Sequence, residues 1–62
     1  MYLKAITDYS WWTVGKEYKV MSVDKTASNG GTWYRIIDDN GEVADLHDVE
    51  NREDFELILN IL

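Results

Sequence analysis

Apolar and polar residues alternate with a period of two along most of this chain, the pattern of β-strands with one buried face. Residues 2–7 (YLKAIT) put Tyr2, Lys4 and Ile6 on one face and Leu3 and Ala5 on the other. Residues 8–14 read as a loop, Gly15-Lys16 as a turn, and residues 17–23 (EYKVMSV) as a second strand. The adjacent Val20 and Met21 break the alternation there, which predicts a bulge or a strong bend. Residues 24–31 (DKTASNGG) hold no apolar anchor and read as a mobile connection. Residues 32–38 and 42–46 then form a hairpin about Asn40-Gly41, a pair that accepts the positive φ of a type I′ turn.

The tail has two readings. HDVEN (47–51) looks like one tight helical turn, after which 52–62 runs either as strand or as helix. As a strand it buries Phe55, Leu57, Leu59 and Ile61 and turns Glu56, Ile58, Asn60 and Leu62 away. As a helix it is capped by Asn51, with Asp54 at N3 and an apolar face of Phe55, Ile58, Leu59 and Leu62. The strand is preferred, because the preceding four need a fifth to close on.

Composition narrows what holds such a fold. At 62 residues the chain is one domain that buries only about 60% of its unfolded surface, and its core supplies roughly 3–5 kcal/mol of net stability. With no cysteine and one histidine, disulfides and a Cys/His zinc site are excluded, and no cofactor is expected. Three Trp, four Tyr and one Phe take over, since each aromatic buries about 150–250 Å². Twelve Asp and Glu against six Lys and Arg give a net charge of −6, which argues against direct nucleic-acid binding and against anionic membranes. No apolar run approaches a membrane span and no charged-then-apolar leader opens the chain, so it reads as a complete cytosolic protein.

Several stretches resemble SH3-like barrels. AITDY (5–9) is similar to that family's Ala-Leu-Tyr-Asp-Tyr, GKEYKV (15–20) to its Gly-Glu start of the second strand, WYRI (33–36) to its Trp-Trp pair, and DDNGEVADL (38–46) to its Gly-x-x-Gly-x-Ile hairpin. The resemblance implies an all-β, five-stranded SH3-like barrel over residues 1–62, with one short helical turn before the last strand. The abbreviated form is similar to small barrel proteins of phages and prophages, which implies the cytoplasm of a bacterial host. Proline-rich peptides are not the expected ligand. The first loop is cut to SWWTV without an acidic cluster, Thr7 stands where a groove tyrosine is expected, and LHDVEN (46–51) lacks the family's Pro-Ser-Asn-Tyr wall. Only Tyr9 and Trp33 match groove positions.

Candidate chemistry follows from these residues. Tyr9, Trp11, Trp12 and Trp33 are the expected protein-binding patch, one of the adjacent tryptophans filling the barrel mouth and the other joining the surface. Nine of the twelve carboxylates fall between Asp38 and Glu56. Asp38, Asp39, Glu42, Asp45, Asp48 and Glu50 define an alternative acidic surface that could imitate nucleic-acid phosphate in the basic groove of a host protein. Asp38, Asp39, Asn40 and Glu42 do not have calcium-loop spacing and suit a hairpin turn instead. His47, among carboxylates but with no nucleophile or pocket implied nearby, reads as a surface histidine, and no enzyme is expected. Ile58, Leu59, Ile61 and Leu62 form an apolar terminus that a second copy could cover, so homodimerisation or a purely structural assembly role is a third reading.

Overall fold

A computed structural model describes residues 1–25 and 30–59. The expected connection at 24–31 lies partly outside the described residues, and Asn60, Ile61 and Leu62 lie wholly outside them. Among the described residues six strands run in chain order: β1 (Tyr2–Ala5), β2 (Glu17–Lys19), β3 (Ser22–Asp24), β4 (Trp33–Ile37), β5 (Val43–His47) and β6 (Phe55–Ile58). They form two antiparallel three-stranded sheets, ordered β2-β1-β6 and β3-β4-β5.

The expected second strand is thus two strands, because the chain changes sheet at the Val20-Met21 break. Val20 N–H donates to Met1 C=O at 3.0 Å in the first sheet, and the next amide, Met21 N–H, donates to Arg35 C=O at 2.6 Å in the second. Consecutive amides bonded to different sheets make a corner. Five strands therefore become six, and strand pairing leaves two sheets in place of a closed barrel.

The β4–β5 hairpin forms in the expected place with a different turn. Gly41 takes φ +78° while Asn40 keeps an ordinary negative φ, so the type I′ expectation fails. Gly41 N–H donates to Asp38 C=O at 3.1 Å, and Asp38 Oδ1 accepts from the N–H groups of Asn40 and Glu42, both at 2.9 Å. Capping by that carboxylate favours a wider loop, a turn followed by a left-handed glycine.

The tail is a strand, β6, antiparallel to β1 with Ala5 opposite Phe55 and Leu3 opposite Leu57. Residues 47–54 run as hydrogen-bonded turns, Asn51 N–H to His47 C=O and Asp54 N–H to Asn51 C=O, both 2.9 Å. No helix occurs among the described residues. Leu57 and Leu59, expected inside, are exposed. Leu57 shares the inward face with Leu3, but β6 is the edge of its sheet among the described residues.

Leu3, Ala5, Trp12, Tyr18, Tyr34, Ile36, Leu46 and Phe55 form the core, and Trp11, Val20 and Ala44 pack against it. β1 and β4 supply it by simple alternation, with Leu3 and Ala5 inward from one sheet and Tyr34 and Ile36 from the other. Tyr34 meets Phe55 edge-on across the two sheets at 6.1 Å. That joint leaves the loop between β1 and β2 to seat its own aromatic side chains against the core.

Candidate interaction surface

The loop is closed at its base by β1: Gly15 N–H donates to Ala5 C=O at 2.8 Å and Ala5 N–H to Lys16 C=O at 3.0 Å. Inside it the aromatic rings form a continuous series from core to solvent. Tyr18 is buried and packs on Trp12 at 5.9 Å; Trp12 meets Trp11 at 4.5 Å; Trp11 stacks on Tyr9 at 5.4 Å with the planes only 7° apart. Exposure rises along this series, from 3% at Trp12 through half-buried Trp11 to 41% at Tyr9.

Trp12 is therefore removed from the expected patch. Its ring lies in the core, and its Nε1–H donates to Thr7 C=O at 2.8 Å, which satisfies the one polar atom of a buried indole. Trp33 is separated too. It projects from the outer face of β4, where its ring meets the edge of His47 at 4.8 Å, and it shares no ring contact with Tyr9 or Trp11. The structure brings Tyr9 and Trp11 together, braces them with Trp12, and sets Trp33 apart on the second sheet.

Two aspartates fix the loop. Asp39 Oδ1 accepts from Lys16 Nζ at 2.9 Å and Tyr18 Oη at 2.8 Å, and Oδ2 from Thr13 Oγ1 at 2.7 Å. Its backbone N–H donates to Trp11 C=O at 2.9 Å. The hydrogen bonds from Thr13, Lys16 and Tyr18 hold its carboxyl down at about 2, and the bond to Asp39 raises the Lys16 ammonium. Asp54 ties the loop down by hydrogen bonds from the other side. Its Oδ1 accepts from Thr7 Oγ1 at 3.2 Å and from Tyr9 Oη at 3.1 Å, while Asn51 Nδ2 donates to Oδ2 at 3.2 Å. Asp54 and Thr7 were not identifiable as positioning residues, since neither stands out in sequence from the other acidic and hydroxyl residues.

The acidic surface is largely occupied by internal bonds. Asp38 caps its own turn and Asp39 holds the loop. Asp45 takes a bidentate bond from Arg35 (2.9 and 3.2 Å), which lowers its pKa and raises that of Arg35. Asp48 Oδ1 accepts from Thr32 N–H at 2.9 Å. Of the six, Glu42 and Glu50 alone make no side-chain hydrogen bond or ion pair among the described residues.

His47 is not a surface histidine. It is 0% exposed, because Gly31 lies directly against its ring and the following turn wraps over it. Nδ1 accepts from the N–H groups of Val49 at 3.2 Å and Glu50 at 3.1 Å, which places the ring proton on Nε2. A ring used in this way organises a turn. No sequence neighbour signals the burial, since the covering Gly31 lies far along the chain.

Among the described residues no group of three or more His, Asp or Glu side chains is placed to hold a metal ion, and no helix is long and apolar enough to cross a membrane. Compared with known protein families, with curated proteins and with solved structures, the chain matches none of them.

Proposed function

We propose that this chain is a non-catalytic protein-interaction module, its strands in an SH3-like arrangement, that engages a protein partner through Tyr9 and Trp11. One observation carries the proposal: the two rings lie parallel at 5.4 Å, Tyr9 exposed and Trp11 half-buried, with Trp12 packed against both. Tyr and Trp anchor interfaces because they bury a large area while losing little rotamer freedom. Here that freedom is already spent, because Asp54 holds the Tyr9 hydroxyl and Asp39 holds the loop backbone at Trp11. A surface ordered before binding loses less entropy when the partner arrives.

Acidic mimicry of nucleic acid has less support. Four of its six carboxylates accept hydrogen bonds from their own chain, in directions set by local turns and not by an external basic groove. Self-assembly through the C-terminal apolar segment rests on Ile58, which is half-buried, on Leu59, which is exposed, and on Ile61 and Leu62, which lie outside the described residues.

A pull-down from bacterial lysate at low and moderate salt tests the proposal, with wild type beside Tyr9→Ala and a Glu42→Gln/Glu50→Gln control. A partner that survives moderate salt and is lost from Tyr9→Ala supports it. A partner released by screening, beyond about 10 Å at 0.1 M salt, and indifferent to Tyr9→Ala would sink it in favour of the acidic surface.

A further inference from the structure

We infer that the turn between β5 and β6 governs the pose of the Tyr9–Trp11 surface, with Asn51 as the positioning residue that joins the two. The inference rests on the Tyr9–Trp11 reading for its use, and adds to it a control element outside the aromatic loop. The turn is anchored at its start by His47, a buried ring whose Nδ1 accepts from the N–H groups of Val49 and Glu50 at 3.2 and 3.1 Å. At its end Asp54 grips the chain that follows β1 by backbone and side chain together. Its C=O accepts from Ile6 N–H at 2.9 Å, and its Oδ1 accepts from Thr7 Oγ1 at 3.2 Å and from Tyr9 Oη at 3.1 Å.

Asn51 spans the interval. Its Oδ1 accepts from His47 N–H at 2.9 Å and its Nδ2 donates to Asp54 Oδ2 at 3.2 Å. Chemistry fixes the direction of this amide, since a flipped one would aim N–H at N–H and oxygen at carboxylate. A continuous path of hydrogen bonds therefore runs from His47 through Asn51 and Asp54 to the Tyr9 hydroxyl. Tyr9 is held at two points, its ring face on Trp11 at 5.4 Å and its hydroxyl on Asp54. Stacking alone leaves the ring free to slide over the indole; the hydroxyl bond stops it. When Asn51 releases Asp54, that carboxylate loses its orientation and Tyr9 keeps only the stacking contact. The fraction of molecules with Tyr9 in place then falls, and the apparent affinity for a partner falls with it. One hydrogen bond of ordinary net strength makes that loss about two- to tenfold. Coupling is reciprocal, so freeing the Tyr9 hydroxyl loosens the turn.

The test is NMR of the free protein. Asn51→Asp keeps an acceptor for His47 N–H, removes the donor to Asp54 and sets two carboxylates side by side. Tyr9 ring signals then move from their Trp11-shielded positions toward those of a solvated tyrosine, while the Val49 and Glu50 amides bonded to His47 keep theirs. The double variant Asn51→Asp/Asp54→Asn reverses donor and acceptor. The amide at 54 donates to the carboxylate at 51, its oxygen still accepts from Tyr9, and the Tyr9 signals return. Tyr9→Phe, at an exposed ring, reads the coupling from the other end and needs no change in the turn. Hydrogen exchange at the Asn51 and Asp54 backbone amides quickens about two- to tenfold in it. An Asn51 that served the turn alone would lower stability and leave Tyr9 where it is. Unmoved Tyr9 signals in folded Asn51→Asp, no recovery in the folded double variant, or unchanged exchange in Tyr9→Phe would each overturn the inference. All three are read without a partner, so the coupling stands or falls separately from the Tyr9→Ala pull-down that decides the surface itself.

Discussion

Gly31→Ala tests whether His47 is held as tightly as its surroundings require. A Cβ at residue 31 would fall onto Nε2 and Cε1 of His47 and lie 3.0 Å from Asp48 Oδ1. The ring cannot give way freely, because Nδ1 accepts two backbone amides, from Val49 and Glu50. Retracting it would forfeit both bonds, at about 1 kcal/mol each. Moving the backbone of residue 31 instead strains the Thr32–Asp48 contact. Overpacking of this kind costs about 1–3 kcal/mol, and the constrained ring places this case near 2–3. Against a net stability of roughly 3–5 kcal/mol, that is most of the fold. At about 4–8 °C per kcal/mol for so small a domain, Tm falls by about 10–20 °C. Urea and thermal melts followed by tryptophan fluorescence and circular dichroism measure it. The double variant Gly31→Ala/His47→Ala supplies the decisive comparison, because removing the ring removes the clash. The double variant is expected to be no less stable than His47→Ala alone. Strict additivity of the two losses, or a Gly31→Ala melt within about 2 °C of wild type, would refute the packing account.

Other perturbations address the loop and the turn. Asp39 has a folded pKa near 2, below its ordinary 3.8, so it stabilises the fold above the unfolded value and loses that contribution as pH falls through about 4 to 2. An acid titration of stability should show this loss in wild type and lack that component in Asp39→Asn. Tyr18→Phe removes a hydroxyl that donates to Asp39 and accepts from Thr13 N–H; losing that acceptor for Thr13 N–H and one of the three side-chain donors to Asp39 should cost about 1–3 kcal/mol in urea melts. Gly41→Ala places a side chain at φ +78° and should destabilise by about 1 kcal/mol, with the hairpin register unchanged by NMR. Acrylamide quenching of single-tryptophan variants should leave Trp12 the least accessible of the three indoles and Trp33 readily quenched.

Local periodicity made the inner strands legible. Leu3 with Ala5 and Tyr34 with Ile36 fall on buried faces by simple alternation, and turn chemistry located the hairpin although Asp38 altered its type. Val20-Met21 announced an irregularity, but the change of sheet depends on which strands lie nearby, which adjacent residues do not encode. The same holds for the polar framework. Asp39 reads as one acid in an acidic run, yet its partners Thr13 and Lys16 from the first loop and Tyr18 from β2 become visible only when the sheets pack. His47 looked exposed because its neighbours are charged, whereas the group that covers it is a glycine with no side chain to reveal the contact. Adjacent tryptophans were expected to divide between core and surface, and Trp12 and Trp11 do so. Trp33 was grouped with them by resemblance, and its outward place on β4 separates it.

The most direct test of the Tyr9–Trp11 surface is the change in Kd for a recovered partner on replacing each aromatic in turn, measured calorimetrically on folded variants. Tyr9→Ala and Trp11→Ala should each weaken binding by about thirtyfold or more, the range of an interface hot spot, while Trp33→Ala changes it by less than about threefold. The reverse order, or equal small losses at all three positions, would contradict the proposal and move the binding surface elsewhere on the molecule.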